Sequence, residues 1–86
     1  MDADAFLRQK SGDRVRHILG VALEMPEQQI SESLSAEDTS NWDSIRHLNL
    51  VMALEETFGV SFSSDELGRL TSYRAIADAL AQRGIS

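Results

Sequence analysis

Apolar residues recur at helical spacing in three separate segments of this chain of 86 residues. In the first segment the i, i+3, i+4, i+7 pattern, which aligns side chains on one face of a helix, is formed by Val15, Ile18, Leu19 and Ala22. Alternating runs of strand length are nearly absent. The spacing therefore predicts an all-α fold, and the length predicts a single domain over residues 1–86.

Signals for helix ends predict a four-helix bundle with three longer helices, one short third helix and a long first loop. These signals are Pro26 after the first helix, Asp43 or Ser44 before the second and Gly59 after it, the capping box from Ser63 to Glu66 before the short third, and Ser72 before the last. Residues 27–41 form the loop, with Ile30 and Leu34 as its apolar anchors. Residues 1–12 either extend the first helix or form a loose N-terminal segment, with a break at Ser11-Gly12-Asp13.

Composition excludes several classes of function. A formal net charge of −6 disfavours binding to nucleic acid or to an anionic membrane, which both need a basic surface. The chain has no cysteine, so its own side chains supply neither disulfides nor thiolates. The N-terminus lacks the features of a signal peptide, and the apolar run from Leu48 to Leu54 is too short to span a bilayer. We expect a cytoplasmic protein.

The second helix carries two apolar stripes. One stripe, predicted to face the core, contains Leu50, Val51, Leu54 and Phe58. The other contains Ile45, Leu48 and Met52, and it is flanked by Glu55 and Glu56. Either this helix is buried nearly all round, or the second stripe is an exposed protein-docking patch rimmed by acidic residues.

Ser44 lies where a polar loop meets the second helix, and three interpretations are open: a helix cap, a nucleophile, or a site of modification. His47 follows three residues later, which allows a Ser–His dyad. The nucleophile-elbow pattern, an orienting group and oxyanion donors are all missing, and so is any metal-ligand motif, so we predict no catalytic or metal site. Trp42 either packs the loop onto the bundle or contacts a group attached at Ser44.

The run Asn41-Trp42-Asp43-Ser44-Ile45, continued by LVMALEETFGV, resembles the acyl carrier protein family, whose signature is Asp-Ser-Leu at the start of its second helix. The resemblance extends from Asp13, through DRVRHILGVAL, to the last helix. It implies an acyl-carrier-like bundle that acts as a monomer. It also implies that Ser44 carries 4′-phosphopantetheine from coenzyme A, and that Asp43 belongs to the motif that a phosphopantetheinyl transferase recognises.

The resemblance further implies that acyl groups are held as thioesters and presented to acyl-loading enzymes, acyltransferases or synthases. The docking residues would be Ile45, Arg46, Leu48, Met52, Glu55 and Glu56. Carriers of fatty acid synthesis have a small pair before the motif and acidic residues after it, whereas this chain has Asn41-Trp42 and Arg46-His47. These departures favour a stand-alone carrier of an accessory pathway. The alternatives are an aminoacyl or peptidyl carrier of a nonribosomal or cell-surface pathway, and an unmodified helical adaptor.

Overall fold

The computed structural model describes residues 3–85, and this part of the chain is helical without a named strand. Its helices are α1 (Ala3–Leu7), α2 (Lys10–Leu23), α3 (Ser44–Phe58), α4 (Ser64–Leu67) and α5 (Tyr73–Gln82). Two 3-10 turns, Glu27–Gln29 and Ala36–Asp38, lie in the connection between α2 and α3. The predicted helical bundle with three longer helices and a short one before the last is confirmed. No helix within residues 3–85 combines the length and apolar content needed to cross a bilayer.

The N-terminal segment forms a separate short helix. The chain breaks at Arg8 and Gln9, so the predicted break at Ser11-Gly12-Asp13 is wrong, and those residues lie inside α2. Phe6 and Leu7 are buried, and α1 packs against α5 and α2. The break sits earlier because an apolar pair at the end of α1 has to turn back into the core. The first two positions of this predicted segment lie outside the described residues.

The turn after α1 brings its backbone very close to α2 at Gly12. A Cβ atom at this position would lie 2.6 Å from the carbonyl oxygens of both Phe6 and Leu7. Only a residue without a Cβ permits that approach. The carbonyl of Gly12 also accepts a hydrogen bond of 2.6 Å from the buried Tyr73 hydroxyl. This glycine therefore joins α1, α2 and α5 at one point.

The core lies between the long helices and includes Leu50, Val51 and Leu54 of the predicted inner stripe of α3, while the fourth member, Phe58, is half-buried. Its fully buried larger side chains are Phe6, Val15, Leu19, Leu23, Leu50, Leu54, Leu70, Tyr73, Ile76 and Leu80. Contacts run from α2 to both α3 and α5. The fold therefore sets the second stripe of α3 apart from the packed interior.

Most helix ends follow the predicted local signals. Ser72 accepts a hydrogen bond from the Ala75 amide, and Ser63 and Glu66 form both bonds of the capping box. Gly59 ends α3 in the left-handed conformation, with φ of 65°. The end of α2 differs: it stops at Leu23, and Glu24 takes the left-handed conformation with φ of 56°, ahead of Pro26.

The connection between α2 and α3 is fastened to the bundle along its length. Ile30 is buried, as predicted, and Leu34 is half-buried. The Tyr73 amide donates to the Leu34 carbonyl at 3.1 Å, and the Ala36 amide donates to the Thr71 carbonyl at 2.8 Å. These bonds hold the loop against the start of α5. The chain thus enters α3 from a supported segment.

Candidate functional site

Ser44 is the first residue of α3, and its side chain is exposed. The helix cap is Asp43, whose Oδ1 accepts a hydrogen bond of 2.8 Å from the Arg46 amide. The interpretation of Ser44 as the cap is therefore wrong, because the residue before it already fills that role. Within residues 3–85 no hydrogen bond to Ser44 Oγ is found, so this hydroxyl faces solvent at the positive end of a helix of 15 residues.

Arg46 links the two helices that meet at this site. Its Nη1 lies 2.6 Å from Asp43 Oδ2, and its Nη2 lies 2.6 Å from Glu24 Oε2. The Arg46 backbone amide, followed by the guanidinium charge, lowers the pKa of Asp43, while the hydrogen bond to Glu24 is the main cause of the raised pKa of Arg46. One cation between two carboxylates leaves this cluster with one net negative charge. Arg46 therefore presents little uncompensated positive charge beside Ser44.

His47 has both ring nitrogens engaged away from Ser44. Its Nδ1 accepts a hydrogen bond of 2.9 Å from Trp42 Nε1, and its Nε2 lies 2.8 Å from the Leu67 carbonyl oxygen. An indole N–H only donates and a carbonyl only accepts, so the proton of the neutral ring is on Nε2. A Ser44–His47 dyad is therefore excluded in this conformation, because the lone pair that a base would use is occupied.

Trp42 packs the end of the loop onto the bundle. Its indole is buried in the core cluster, and its N–H is used by His47. The first of the two predicted roles of Trp42 is thus the observed one. Through the imidazole, the residue two positions before Ser44 is connected to the last residue of α4.

The second stripe of α3 is exposed. The exposed fractions are 74% for Ile45, 56% for Leu48 and 59% for Met52. This excludes burial of α3 on all sides and leaves an apolar surface on one face of a helix. Among its acidic neighbours, Glu56 is exposed, whereas the half-buried Glu55 accepts a hydrogen bond of 2.9 Å from the Phe62 amide.

A groove of about 740 Å³ runs between α2 and α3 next to Ser44. Its polar end is formed by Glu24, Asp43 and Arg46, and its apolar walls include Val21 and Ile45. Sequence reasoning missed this groove and the role of Glu24. The partners Glu24 and Arg46 are 22 positions apart, and no local pattern marks such a pair. The apolar periodicity of the first helix also did not predict that Val21 is 66% exposed.

Comparisons with known proteins cover most of the chain. A family model described as "Phosphopantetheine attachment site" matches residues 13–80. The chain is 32% identical over 76 residues to acyl carrier protein 3 of Ralstonia nicotianae, covering 84% of this chain and 87% of that protein. It is 37% identical over 68 residues to the acyl carrier protein of Buchnera aphidicola subsp. Baizongia pistaciae, covering 78% of this chain and 86% of that protein.

Proposed function

The chain belongs to the acyl carrier protein family, whose cofactor is covalent 4′-phosphopantetheine, and we propose that Ser44 is the residue that carries this cofactor. The observation that supports the assignment is the exposed hydroxyl at the first position of α3, directly after the capping Asp43. It lies inside the matched range of residues 13–80. The hydroxyl is accessible to a transferase and is not committed to the fold.

The surroundings of Ser44 fit a phosphodiester. The first amides of a helix point toward its N-terminus, and the helix dipole favours negative charge there. Asp43 holds the first turn in place through its bond to the Arg46 amide. When bound, the cofactor supplies a terminal thiol, which a chain without cysteine does not have of its own.

In this proposal the chain carries and presents acyl groups and does not catalyse their reactions. His47 is occupied by structural hydrogen bonds. The partner enzymes would be a phosphopantetheinyl transferase, followed by acyl-loading enzymes, acyltransferases or synthases. The residues proposed to dock them are Ile45, Arg46, Leu48, Met52, Glu55 and Glu56, which we call the docking surface.

The docking surface has an apolar centre and an acidic edge. Ile45, Leu48 and Met52 supply the centre, and the grouping of three exposed apolar side chains on one helix face favours a role in protein contacts. Glu56 is the acid most available to a basic partner, because Glu55 bonds to the Phe62 amide. Arg46 supports an accessory pathway, since it occupies Glu24 and Asp43 in ion pairs and a partner that requires free acidic residues after the serine finds none at this position.

Intact mass after incubation with coenzyme A and a broad-specificity phosphopantetheinyl transferase tests the attachment. We expect one phosphopantetheinyl group on the wild-type protein and none on Ser44→Ala. Ser64→Ala is a matched control, because Ser64 is also exposed and is the first residue of α4. Absence of the added group on the wild type would contradict the proposal and favour an unmodified adaptor, whereas its persistence on Ser44→Ala would contradict it by placing the attachment at another residue.

The transferase also tests the docking surface. Leu48→Asp should raise the KM for the carrier roughly tenfold, equivalent to about 1.4 kcal/mol. Val21→Asp is the control, because Val21 is comparably exposed but lies on α2. Equal effects of the two substitutions would argue against a specific docking role for α3.

A further inference from the structure

We propose that the groove between α2 and α3 holds the 4′-phosphopantetheine arm along the outside of the bundle and partly shields the acyl group at its end. This inference rests on attachment of the arm at Ser44. It concerns where the arm lies when no partner is bound. The occupant is the chain's own covalently attached group, and the groove starts at the two residues that flank its attachment point, Asp43 and Ile45.

The groove follows α3 for nearly its whole length. Its first part, of about 740 Å³, is lined on α3 by Ile45, Asn49 and Ala53. A second depression of about 420 Å³ shares His17 and Ile18 with it and reaches Thr57. The α3 residues are spaced by four positions, which aligns them along one face of the helix. The distance from Ser44 to Thr57 corresponds to about 20 Å of helix.

The opposite wall comes from α2, which runs antiparallel to α3. Glu24, after the end of α2, pairs with Arg46 near the start of α3. Asp13 and Arg14, near the start of α2, share the far depression with Thr57 of α3. The groove is therefore a track between two antiparallel helices, and it leads away from Ser44.

Beyond the first turn of α3, the chemistry of the walls matches the pantetheine part of the arm. The polar end beside Ser44, formed by Arg46 with its two carboxylates, carries one net negative charge, so the first amides of α3 would stabilise the phosphodiester there. Ile18, Val21 and Ile45 provide apolar surface for the methyl and methylene groups. The exposed side chain of Asn49, in the middle of the track, offers an amide donor and acceptor to the amides of the arm.

Two features favour this outer track over the core. The core side of α3 is occupied, since Leu50 and Leu54 are fully buried, so an acyl chain entering there has to displace packed side chains. The groove needs no such rearrangement, because Val21 and Ile45 are already exposed. Tethering at Ser44 also gives the arm an effective concentration in the millimolar range, so even weak contacts suffice to populate the bound arrangement.

A polarity-sensitive fluorophore attached through the thiol of coenzyme A tests the proposal. The transferase transfers the labelled arm to the protein, and the same labelled pantetheine free in solution is the reference. We expect a blue-shifted emission maximum on the wild-type protein. Ala53→Lys, which fills the track, should return the emission to that of the free probe. Gln82→Lys is the control, at an exposed position of α5 outside both the groove and the docking surface, and it should leave the shift unchanged.

Val21→Lys provides a second route, because this exposed residue tolerates a long polar side chain without disturbing the core. It should reduce the blue shift even if Ala53→Lys impairs folding. Amide chemical shifts compared between the unmodified and modified protein, without a fluorophore, should change at Ile18 and Ala22 of α2 as well as in the first turn of α3.

The outcomes separate the two proposals. No transfer of the labelled arm by mass would overturn attachment at Ser44. Transfer with emission equal to that of the free probe would overturn only the groove. A blue shift that survives both Ala53→Lys and Val21→Lys, with chemical shift changes at core residues such as Leu54, would place the arm in the interior and also refute the groove.

Discussion

Replacing His47 with alanine should disconnect the end of the α2–α3 loop from α4. The imidazole accepts a hydrogen bond of 2.9 Å from Trp42 and lies 2.8 Å from the carbonyl oxygen of Leu67. Each such bond contributes a net of about 0.5–1.5 kcal/mol, and a buried donor left without a partner costs about 1–3 kcal/mol. The indole N–H belongs to a buried residue, whereas the Leu67 carbonyl is on a half-buried residue near solvent.

We therefore expect His47→Ala to lower the free energy of unfolding by about 2–3 kcal/mol. For a domain of this size that corresponds to a decrease in Tm of about 8–24 °C. The measurement is urea unfolding at pH 7 followed by the helical circular dichroism signal. His17→Ala is the matched control, because the side chain of His17 is 67% exposed, and a change within about 0.5 kcal/mol is expected there.

Conservative variants separate the two bonds. His47→Asn keeps an acceptor near the position of Nδ1 and should retain the bond from Trp42. His47→Gln keeps a donor near the position of Nε2 and should retain the bond to Leu67. His47→Asn should recover more of the lost stability than His47→Gln, because the indole donor is buried and the Leu67 carbonyl lies near solvent. Trp42→Phe, combined with His47→Ala in a double-mutant cycle, measures the coupling directly.

Two results would refute this reasoning. A loss below about 0.5 kcal/mol for His47→Ala would mean that water replaces both bonds at no cost. Strict additivity of Trp42→Phe and His47→Ala would mean that the indole and the imidazole contribute separately, in spite of the 2.9 Å between Trp42 Nε1 and His47 Nδ1.

Three further predictions concern other parts of the fold. Gly12→Ala should destabilise by more than about 2 kcal/mol in chemical denaturation, because its Cβ would lie 2.6 Å from backbone oxygens; Gly68→Ala, where the nearest atom is at 3.9 Å and φ is −70°, should be neutral or slightly stabilising. Tyr73→Phe should cost about 1–2 kcal/mol, since it removes the buried bond to the Gly12 carbonyl, and spectrophotometric titration should place the tyrosine pKa above its usual range, because burial raises it; an unchanged unfolding curve would contradict this. The hydrogen bond with Arg83 is the first cause of the lowered pKa of Glu66, so the stabilisation is present above the ordinary glutamate pKa and is lost as pH falls through the folded value. Glu66→Gln should therefore show a smaller loss of stability than the wild type below about pH 4.5, and parallel acid limbs would argue against that role.

Local sequence signals predicted much of this fold. The capping box at Ser63, the cap at Ser72 and the left-handed Gly59 each depend on residues within a few positions, so their chemistry is visible in the sequence. The inner stripe of α3 was also predicted, because Leu50 and Leu54 follow helical periodicity.

Features that depend on distant residues were not predictable in this way. The break before α2 accompanies the burial of Phe6 and Leu7 and the packing of α1 against α5, which lies near the other end of the chain. Trp42 and Leu67 determine which ring nitrogen of His47 accepts a hydrogen bond and which donates one, and Leu67 is 20 positions away. Periodicity suggested that His47 approaches Ser44, but the better-placed donor and acceptor determine the orientation of the ring.

The sequence alone did not decide whether the second stripe of α3 is exposed, and the reason is geometric. A helix in a bundle of this size is buried on all sides only if its neighbours are long enough to cover it. The helix after α3 is α4, with four residues, or about 6 Å. The sequence shows that this segment is short, but only the packing of α2 against α3 shows which face of α3 is covered and that Leu48 and Met52 stay exposed.

Because Trp42 is buried, its intrinsic fluorescence reports on the state of the turn before Ser44. It is the chain's single tryptophan, so the indole emission of the unlabelled protein comes entirely from one site, two residues before Ser44. Its N–H is bonded to an imidazole and its ring is buried, and both conditions depend on the same turn staying intact. Intrinsic fluorescence therefore follows events at this turn in real time, with a protein that needs neither a dye nor an added cysteine.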